Sequence, residues 1–314
     1  MKKIILTALS VFSLLALISC STTVSTTFTR PAELDMHGAT TIAVLPFQEY
    51  PPTGYSSGSS DSKTRKECCD FVTDELEERL ADVEYYTLES STRLKVSIEK
   101  GRPSPVEVYI TGYVSRFNDD VKSHETKETV DDEEIISVYY TRDVDLTLVY
   151  QIVDASSNVV LHKDNMSISD STRADSKRDL TPAFDLVESE LKDFVRDLLK
   201  KIQPYEERVY YTLLDSKSKD PEMKLAAKLA KSGQIESSCE KFLEIYDETG
   251  DFVAGYNGAI LLEAQGDLFN ARDIMQELVD VTGDKRAVRA LKNIDREIEL
   301  SDKLDQQNAN RMYR

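Results

Sequence analysis

With 314 residues, 40% of them hydrophobic and 31% charged, the chain is long enough for two domains with separate cores and is not composed like a disordered protein. Its formal net charge of −18 opposes contact with phosphate backbones and anionic headgroups, so nucleic acid is excluded as an expected partner. Beyond residue 20 no stretch approaches the apolar length that a membrane helix needs.

At the N-terminus, Lys2 and Lys3 precede an apolar run of 15 residues, Ile4 to Ile18, the length of a secretory signal rather than of a permanent span. Its end, Leu17-Ile18-Ser19-Cys20, resembles the lipobox of bacterial lipoproteins. The resemblance implies removal of residues 1–19 and attachment of lipid to Cys20, with palmitate-type chains anchoring the protein. An ordinary signal peptide with a chance cysteine is the alternative. Ser21, where Asp would favour the inner membrane in enterobacterial lipoproteins, implies the outer membrane, facing the periplasm. Residues 20–39, rich in Ser and Thr, read as a lipidated tether. Among the other cysteines, Cys69 shares a stripe with Val72, Leu76 and Leu80 and is expected in the core. Cys68, Cys69 and Cys239 form no familiar disulfide framework, and no C-x-x-C occurs.

From residue 40 the chain reads as an α+β domain, a sheet covered by helices, ending near 203. TTIAVLPFQ is a short apolar run closed by Pro46 and predicts a buried strand. A Pro-, Gly- and Ser-rich loop, EYPPTGYSSGSSDS, follows, then a helix with Cys69, Val72, Leu76, Leu80 and Val83 at spacings of three and four. VEYYTLES predicts a strand and Thr92 to Lys100 a short helix. Val106, Val108, Ile110, Gly112 and Val114 alternate, as do Val144, Leu146, Leu148, Tyr150 and Ile152, which predicts strands with one buried face. The charged stretch Asp119 to Glu134 is expected to be an exposed bend between strands. DASSN predicts the turn of a hairpin. Thr181 and Pro182 open a helix whose buried side holds Phe184, Val187, Leu191, Phe194, Leu198 and Ile202.

TIAVLPF as the first strand, VYITGYVSRF in the middle and VDLTLVYQIVDASSNVVLHK as the late hairpin resemble the superfamily of curli secretion channels and penicillin-binding-protein activators (CsgG/LpoB-like). The hairpin departs from that pattern in its turn, where Ser156-Ser157-Asn158 replaces the usual glycine. The resemblance implies envelope partners or oligomers and carries no shared catalytic residues. A lipid-facing barrel is disfavoured by the charge of NDDVKSHETKETVDDEE. Reach through the wall layer is disfavoured by the short tether.

Residues 204–303 read as an all-α domain. KSGQIESSCEKFLEIYDETGD aligns with AQGDLFNARDIMQELVDVTGD at an offset of 33, matching Gly233 with Gly266, Phe242 with Met275 and Ile245 with Leu278. This resembles the tetratricopeptide repeat. Helix pairs are expected at 221–232 with 235–248 and at 252–264 with 268–281. A capping helix is expected over Lys285 to Lys303, with 205–214 extending the stack at its other end and 304–314 a frayed polar tail.

His37, His124 and His162 share no ligand spacing, and no phosphate-binding or nucleophile-elbow motif occurs, so no catalytic residue, cofactor or metal is expected. TGYSSGSS reads as a flexible loop, with anion binding the alternative. Tyrosine is abundant, with 15 residues and no tryptophan. Tyr109, Tyr113 and Phe117, expected on the strand side opposite Val108, Ile110 and Val114, are either covered core aromatics or a contact face for a partner. Tyr246 and Tyr256 are candidates in the repeat groove. The functional expectation is a non-enzymatic envelope lipoprotein that acts as an adaptor or scaffold through protein–protein contacts, anchored by lipid, with a possible homo-oligomer. The alternative is a self-assembling structural or secretion component. An enzyme acting on wall glycans or peptides lacks the paired carboxylates it would need.

Overall fold

The computed structural model describes residues 22–49, 59–130, 133–215 and 220–312, so the signal segment and Cys20 lie outside the described residues. The fold is mixed α/β with a helical C-terminal region. The chain divides into two compact units. One is Ala32–Gln203 with Gln307–Arg314; the other is the described chain up to Pro31 with Pro204–Gln306. The first strand, β1 (Thr23–Arg30), belongs to the second unit.

In the α/β unit, β2 (Thr41–Val44) lies parallel to both β4 (Thr87–Leu88) and β5 (Val108–Val130), and β3 (Gln48–Glu49) also pairs with β5. Antiparallel β6 (Glu133–Asp154) and β7 (Val160–Ala174) complete the order β4-β2-β5-β6-β7. Helices α1 (Ser59–Ala81) and α3 (Ala183–Ile202) cover one face. Cys69, Val72, Leu76 and Leu80 from α1 and Val187, Leu191, Phe194 and Ile202 from α3 meet Ile42, Ile110 and the β6 row Val144, Leu146, Leu148, Tyr150 and Ile152. Burying side chains of this size contributes about 1.5–3 kcal/mol each, which is why the alternating rows set the register. The short α2 (Ser91–Glu99) covers a small patch of the opposite face, where Leu94 packs with Ala43, Val106, Tyr109 and Val153.

Two sequence expectations change here. Asp119 to Glu134 is not a bend: β5 and β6 pair through it, from Asp119 opposite Val144 out to Val130 opposite Glu133. Charged side chains are tolerated because most of this ribbon is exposed on both faces. Gly112, in mid-strand, is required by contact rather than by a turn, since a Cβ there would lie 2.2 Å from the Phe47 ring. The β6–β7 turn works without glycine: Asn158 adopts φ +57°, and the Asp154 carboxylate accepts from the amides of Ser156 (2.9 Å) and Ser157 (2.8 Å). The Ser156 hydroxyl, with the Ser157 and Ser156 amides, lowers the Asp154 pKa to about 2.

Residues 304–312 are not a frayed tail, and 313–314 lie outside the described residues. Helix α8 (Lys285–Met312) continues through 304–312, and its last turns are part of the α/β unit. Gln307 accepts from the Ala32 amide (2.9 Å) and donates to the Ala32 carbonyl (3.0 Å). Arg311 donates to the carbonyls of Ala39 (3.1 Å) and Tyr85, its guanidinium 3.7 Å from the centre of the Tyr85 ring.

The second unit is helical apart from one ribbon. Helices α4 (Pro221–Lys231), α5 (Ile235–Thr249), α6 (Phe252–Gln265) and α7 (Leu268–Thr282) follow one another, and α8 starts directly after. Gly250, Gly266 and Gly283 end α5, α6 and α7 with φ of +67°, +84° and +61°, a backbone that glycine adopts at little cost. The 33-residue correspondence extends into α8, because Ala254 and Leu261 match Ala287 and Ile294 and all four are buried. The tether and the expected terminal helix are corrected together: residues 23–30 are a strand, and 205–212 form β8 (Tyr205–Thr212), its antiparallel partner. Val24, Thr26, Phe28 and Arg30 form the more buried side of β1. Threonine, valine and phenylalanine fit such a pleated, half-buried surface. Buried Asn257 on α6 fixes the end of the ribbon, accepting from the Leu214 amide (2.7 Å) and donating to its carbonyl (3.0 Å).

Replacing Arg311 by Ala should destabilise the α/β unit by roughly 2–3 kcal/mol, since two hydrogen bonds from a charged donor and a cation–π contact are lost. Urea unfolding read by tyrosine fluorescence checks this, and an unchanged midpoint would show that the last turns of α8 contribute nothing.

Candidate functional site

Within the helical unit an open cleft of about 680 Å³ runs between β8, α6 and α8. Three separated segments build it. Consecutive residues Glu207 to Thr212 form one wall, α6 supplies Tyr256, Ile260 and Glu263, and α8 supplies the other wall from Arg286 to Leu300. Arg286, Arg289, Ala290, Asn293, Arg296, Glu297 and Leu300 all line it, because at 100° per residue they fall on one side of the helix. Ala290 is buried there and lets α8 approach its neighbours, while the longer side chains reach around the opening.

Five arginines line the cleft (Arg30, Arg208, Arg286, Arg289 and Arg296) against three glutamates (Glu207, Glu263 and Glu297). Arg30 is nearly buried, with its side chain 6% exposed. Its Nε donates to Glu207 (2.7 Å), and its two Nη groups donate to both oxygens of Glu297, one of them at 3.1 Å. Burial opposes charge on Arg30, but its hydrogen bonds to Glu297 and Glu207 and the fields of those carboxylates outweigh it and raise its pKa. Arg286 is held by Asp284 (2.8 Å) and lies 5.1 Å from the Phe252 ring centre. Arg289 and Arg296 are exposed and have no hydrogen-bond or ion-pair partner among the described residues.

Glu263 is the least expected member. It is 3% exposed, and burial, followed by the field of Glu297, pushes its pKa up to about 8, against the pull of Tyr211 and Arg30. At neutral pH it is mainly a neutral acid. Tyr211 lies beside it, 7% exposed, its hydroxyl lacking a well-aligned hydrogen-bond partner among the described residues. Burial, then the field of Glu263, raises its pKa as well. With Glu263 neutral, the five arginines face only two anionic carboxylates. The cleft is thus a cationic site in a strongly acidic chain.

Tyr256, one of the sequence candidates, lines the cleft, and Tyr246 packs in the same unit against Gly255, where a Cβ would lie 2.6 Å from its ring. Tyr109, Tyr113 and Phe117 lie in the α/β unit and do not form one face. Tyr109 is 9% exposed in the α2 patch, its hydroxyl donating to Asn158 (2.9 Å) in the β6–β7 turn. Phe117 lies in the main core with Val108, Ile110 and Val114 rather than opposite them. The register slips between Val114 and Arg116, and the extra residue of this bulge turns Phe117 to the other side. Tyr113 is half-buried between. Sequence reading missed Arg30, Tyr211, Glu263, Arg289 and Arg296. The spacing of the α8 arginines was visible, but the strand facing them was not.

Elsewhere the thiols of Cys68 and Cys69 are free and buried, and burial pushes each up to about 12; Cys239 is likewise free and buried and rises to about 11. No group of three or more potential metal ligands occurs among the described residues. No helix among them is long and apolar enough to cross a membrane.

No family model and no curated protein matches the chain. Solved structures with some similarity include the PelC dodecamer from Paraburkholderia phytofirmans, 11% identical over 58% of this chain and 98% of that one, with a TM-score of 0.27. The hypothetical protein CT253 from Chlamydia trachomatis is 12% identical over 51% and 95%, with a TM-score of 0.30. Lipoprotein GNA1162 from Neisseria meningitidis is 11% identical over 52% and 97%, with a TM-score of 0.25. At these scores the similarity carries no functional argument.

The buried acid gives the unit a pH signature. Folded Glu263 keeps its proton up to about pH 8, whereas an unfolded glutamate loses it near 4.5. Its contribution is therefore complete at low pH and is lost as pH rises through that interval, by at most roughly 1.4 kcal/mol per pH unit. Glu263→Gln should flatten the decline between pH 5 and 8 in chemical unfolding followed by circular dichroism. An identical slope in both proteins would place the ionisation elsewhere.

Proposed function

We propose that this protein is a non-enzymatic, lipid-anchored component of the bacterial envelope that acts as an adaptor, holding a partner at the arginine-lined cleft of its helical unit. One observation carries the reading: a net-acidic chain concentrates five arginines in one cleft and leaves Arg289 and Arg296 without a hydrogen-bond or ion-pair partner among the described residues. Charges of one sign gathered in a concave site steer and hold an oppositely charged partner. The lipobox-like Leu17-Ile18-Ser19-Cys20 supports the anchor, and the 33-residue correspondence from α5 to α8 supports a tetratricopeptide-like scaffold. The outer membrane facing the periplasm is the proposed location, on the strength of Ser21. Cys20→Ser should move the protein from the membrane fraction to the soluble fraction and abolish palmitate labelling. Retention of both would overturn the anchor.

A second reading, self-assembly, is favoured by the free edge of β7. A cleft of about 470 Å³ lies between β7 and α3, lined by apolar Met166, Ile168, Phe194 and Leu198 together with charged side chains of both signs, Asp193 and Lys201 among them. The chain's net charge of −18 makes two copies repel one another, so the adaptor reading predicts a monomer by light scattering at neutral pH. A stable large oligomer would favour self-assembly.

A further inference from the structure

Resting on the adaptor reading, we infer that the cleft takes an extended acidic segment of a partner protein, which adds to the open edge of β8 as a third strand and places its carboxylates against Arg289 and Arg296. Six consecutive β8 residues, Glu207 to Thr212, line the cleft. Successive side chains of a strand point to opposite faces, so a cleft that touches all six runs along the edge of the strand, not over one face. Among the described residues that edge is unpaired: the sheet there has two strands, and β1 lies on the other side of β8.

The ladder shows which backbone groups are available. The Leu213 amide donates to the Thr22 carbonyl, which places Leu213 among the residues bonded to β1. By the two-residue alternation of an antiparallel pair, Tyr211, Val209 and Glu207 also face β1, while Thr212, Tyr210 and Arg208 direct their amides and carbonyls outward. Among the described residues no backbone hydrogen bond outside the ladder uses those outward groups. A peptide backbone satisfies such alternating donors and acceptors along the whole edge; a single phosphate group, which is mainly an acceptor and has no repeat along the strand, does not.

Charge selects the side chains. Glu207 and Glu297 are already committed to Arg30 and Asp284 holds Arg286, which leaves Arg289 and Arg296 for an incoming carboxylate. Guanidinium groups bind carboxylates in two-pronged fashion. A segment with an acidic residue at every second position presents all its carboxylates on one face, as a wall of arginines requires.

The test uses the purified full chain and a fluorescein-labelled octapeptide alternating glutamate with valine, read by anisotropy at low and high salt. Its glutamine counterpart, inorganic phosphate and vesicles containing an anionic phospholipid serve as comparisons. Binding should weaken about tenfold in R289A/R296A, whose substitutions lie at exposed positions, and in the glutamine peptide. It should also weaken in Tyr210→Pro, which removes one outward amide and leaves the β1 ladder intact. A peptide that does not bind, or that binds equally well to R289A/R296A, overturns the inference. Arginine-dependent binding of phosphate or vesicles without the peptide overturns it in favour of a headgroup site. Loss of binding in R289A/R296A but not in Tyr210→Pro overturns the added strand. The adaptor reading fails separately: cross-linked envelopes would then yield no partner with the wild-type chain, whereas a partner still captured by R289A/R296A leaves that reading standing and sinks the cleft.

Discussion

The pairing of Thr23–Arg30 with Tyr205–Thr212 is the constraint on which the helical unit depends. The two strands are separated by the whole α/β unit in sequence, and closing so long an excursion costs entropy that grows only slowly with length. That cost is offset where the ribbon meets helices: Val24 and Tyr211 enter the core, Arg30 reaches Glu297, and Asn257 grips the backbone of Leu214. Without β1, β8 would be a lone strand, with neither a ladder nor a fixed position opposite α8. The cleft therefore exists because two distant pieces of chain meet.

This dependence explains how much was legible in sequence. Helices α4 to α7 were readable almost to the residue, since their apolar spacing is local and glycines mark the end of three of them. The alternating rows of β5 and β6 were readable for the same reason. The strand β1 was not, because its inward side consists of Val24, Thr26, Phe28 and Arg30, and two polar residues out of four give no apolar alternation. A hydroxyl-rich run looks like a tether until its partner is known, and the partner begins beyond the whole stretch from Pro31 to Pro204. Phe117 was assigned to the wrong side because a single inserted residue in the ladder leaves no mark in composition. Gln307 and Arg311 looked like a polar tail because what holds them are backbone carbonyls, which no sequence pattern reveals.

The site was the least legible part. Its cationic character arises from Arg30 on one strand, Arg208 on another and three arginines on α8, none of them remarkable alone in a chain with 39 basic residues. The acid at its base, Glu263, occupies a helix position that reads as an ordinary solvated charge. Only the packing of α6 beneath the ribbon removes it from water and keeps it protonated. A neutral carboxyl beside Arg30 leaves more of the arginine field unspent than the residue types alone would suggest.

The place of β1 in the sequence also limits slack. Only Ser21 and Thr22 stand between Cys20 and the first residue of β1. A lipid on that cysteine would hold the start of β1 on a leash of two residues, within about 10 Å of the bilayer surface. Anything bound along β8 would then be gripped at the membrane face itself, so a partner would have to come to the membrane to be caught, rather than be fished from a distance.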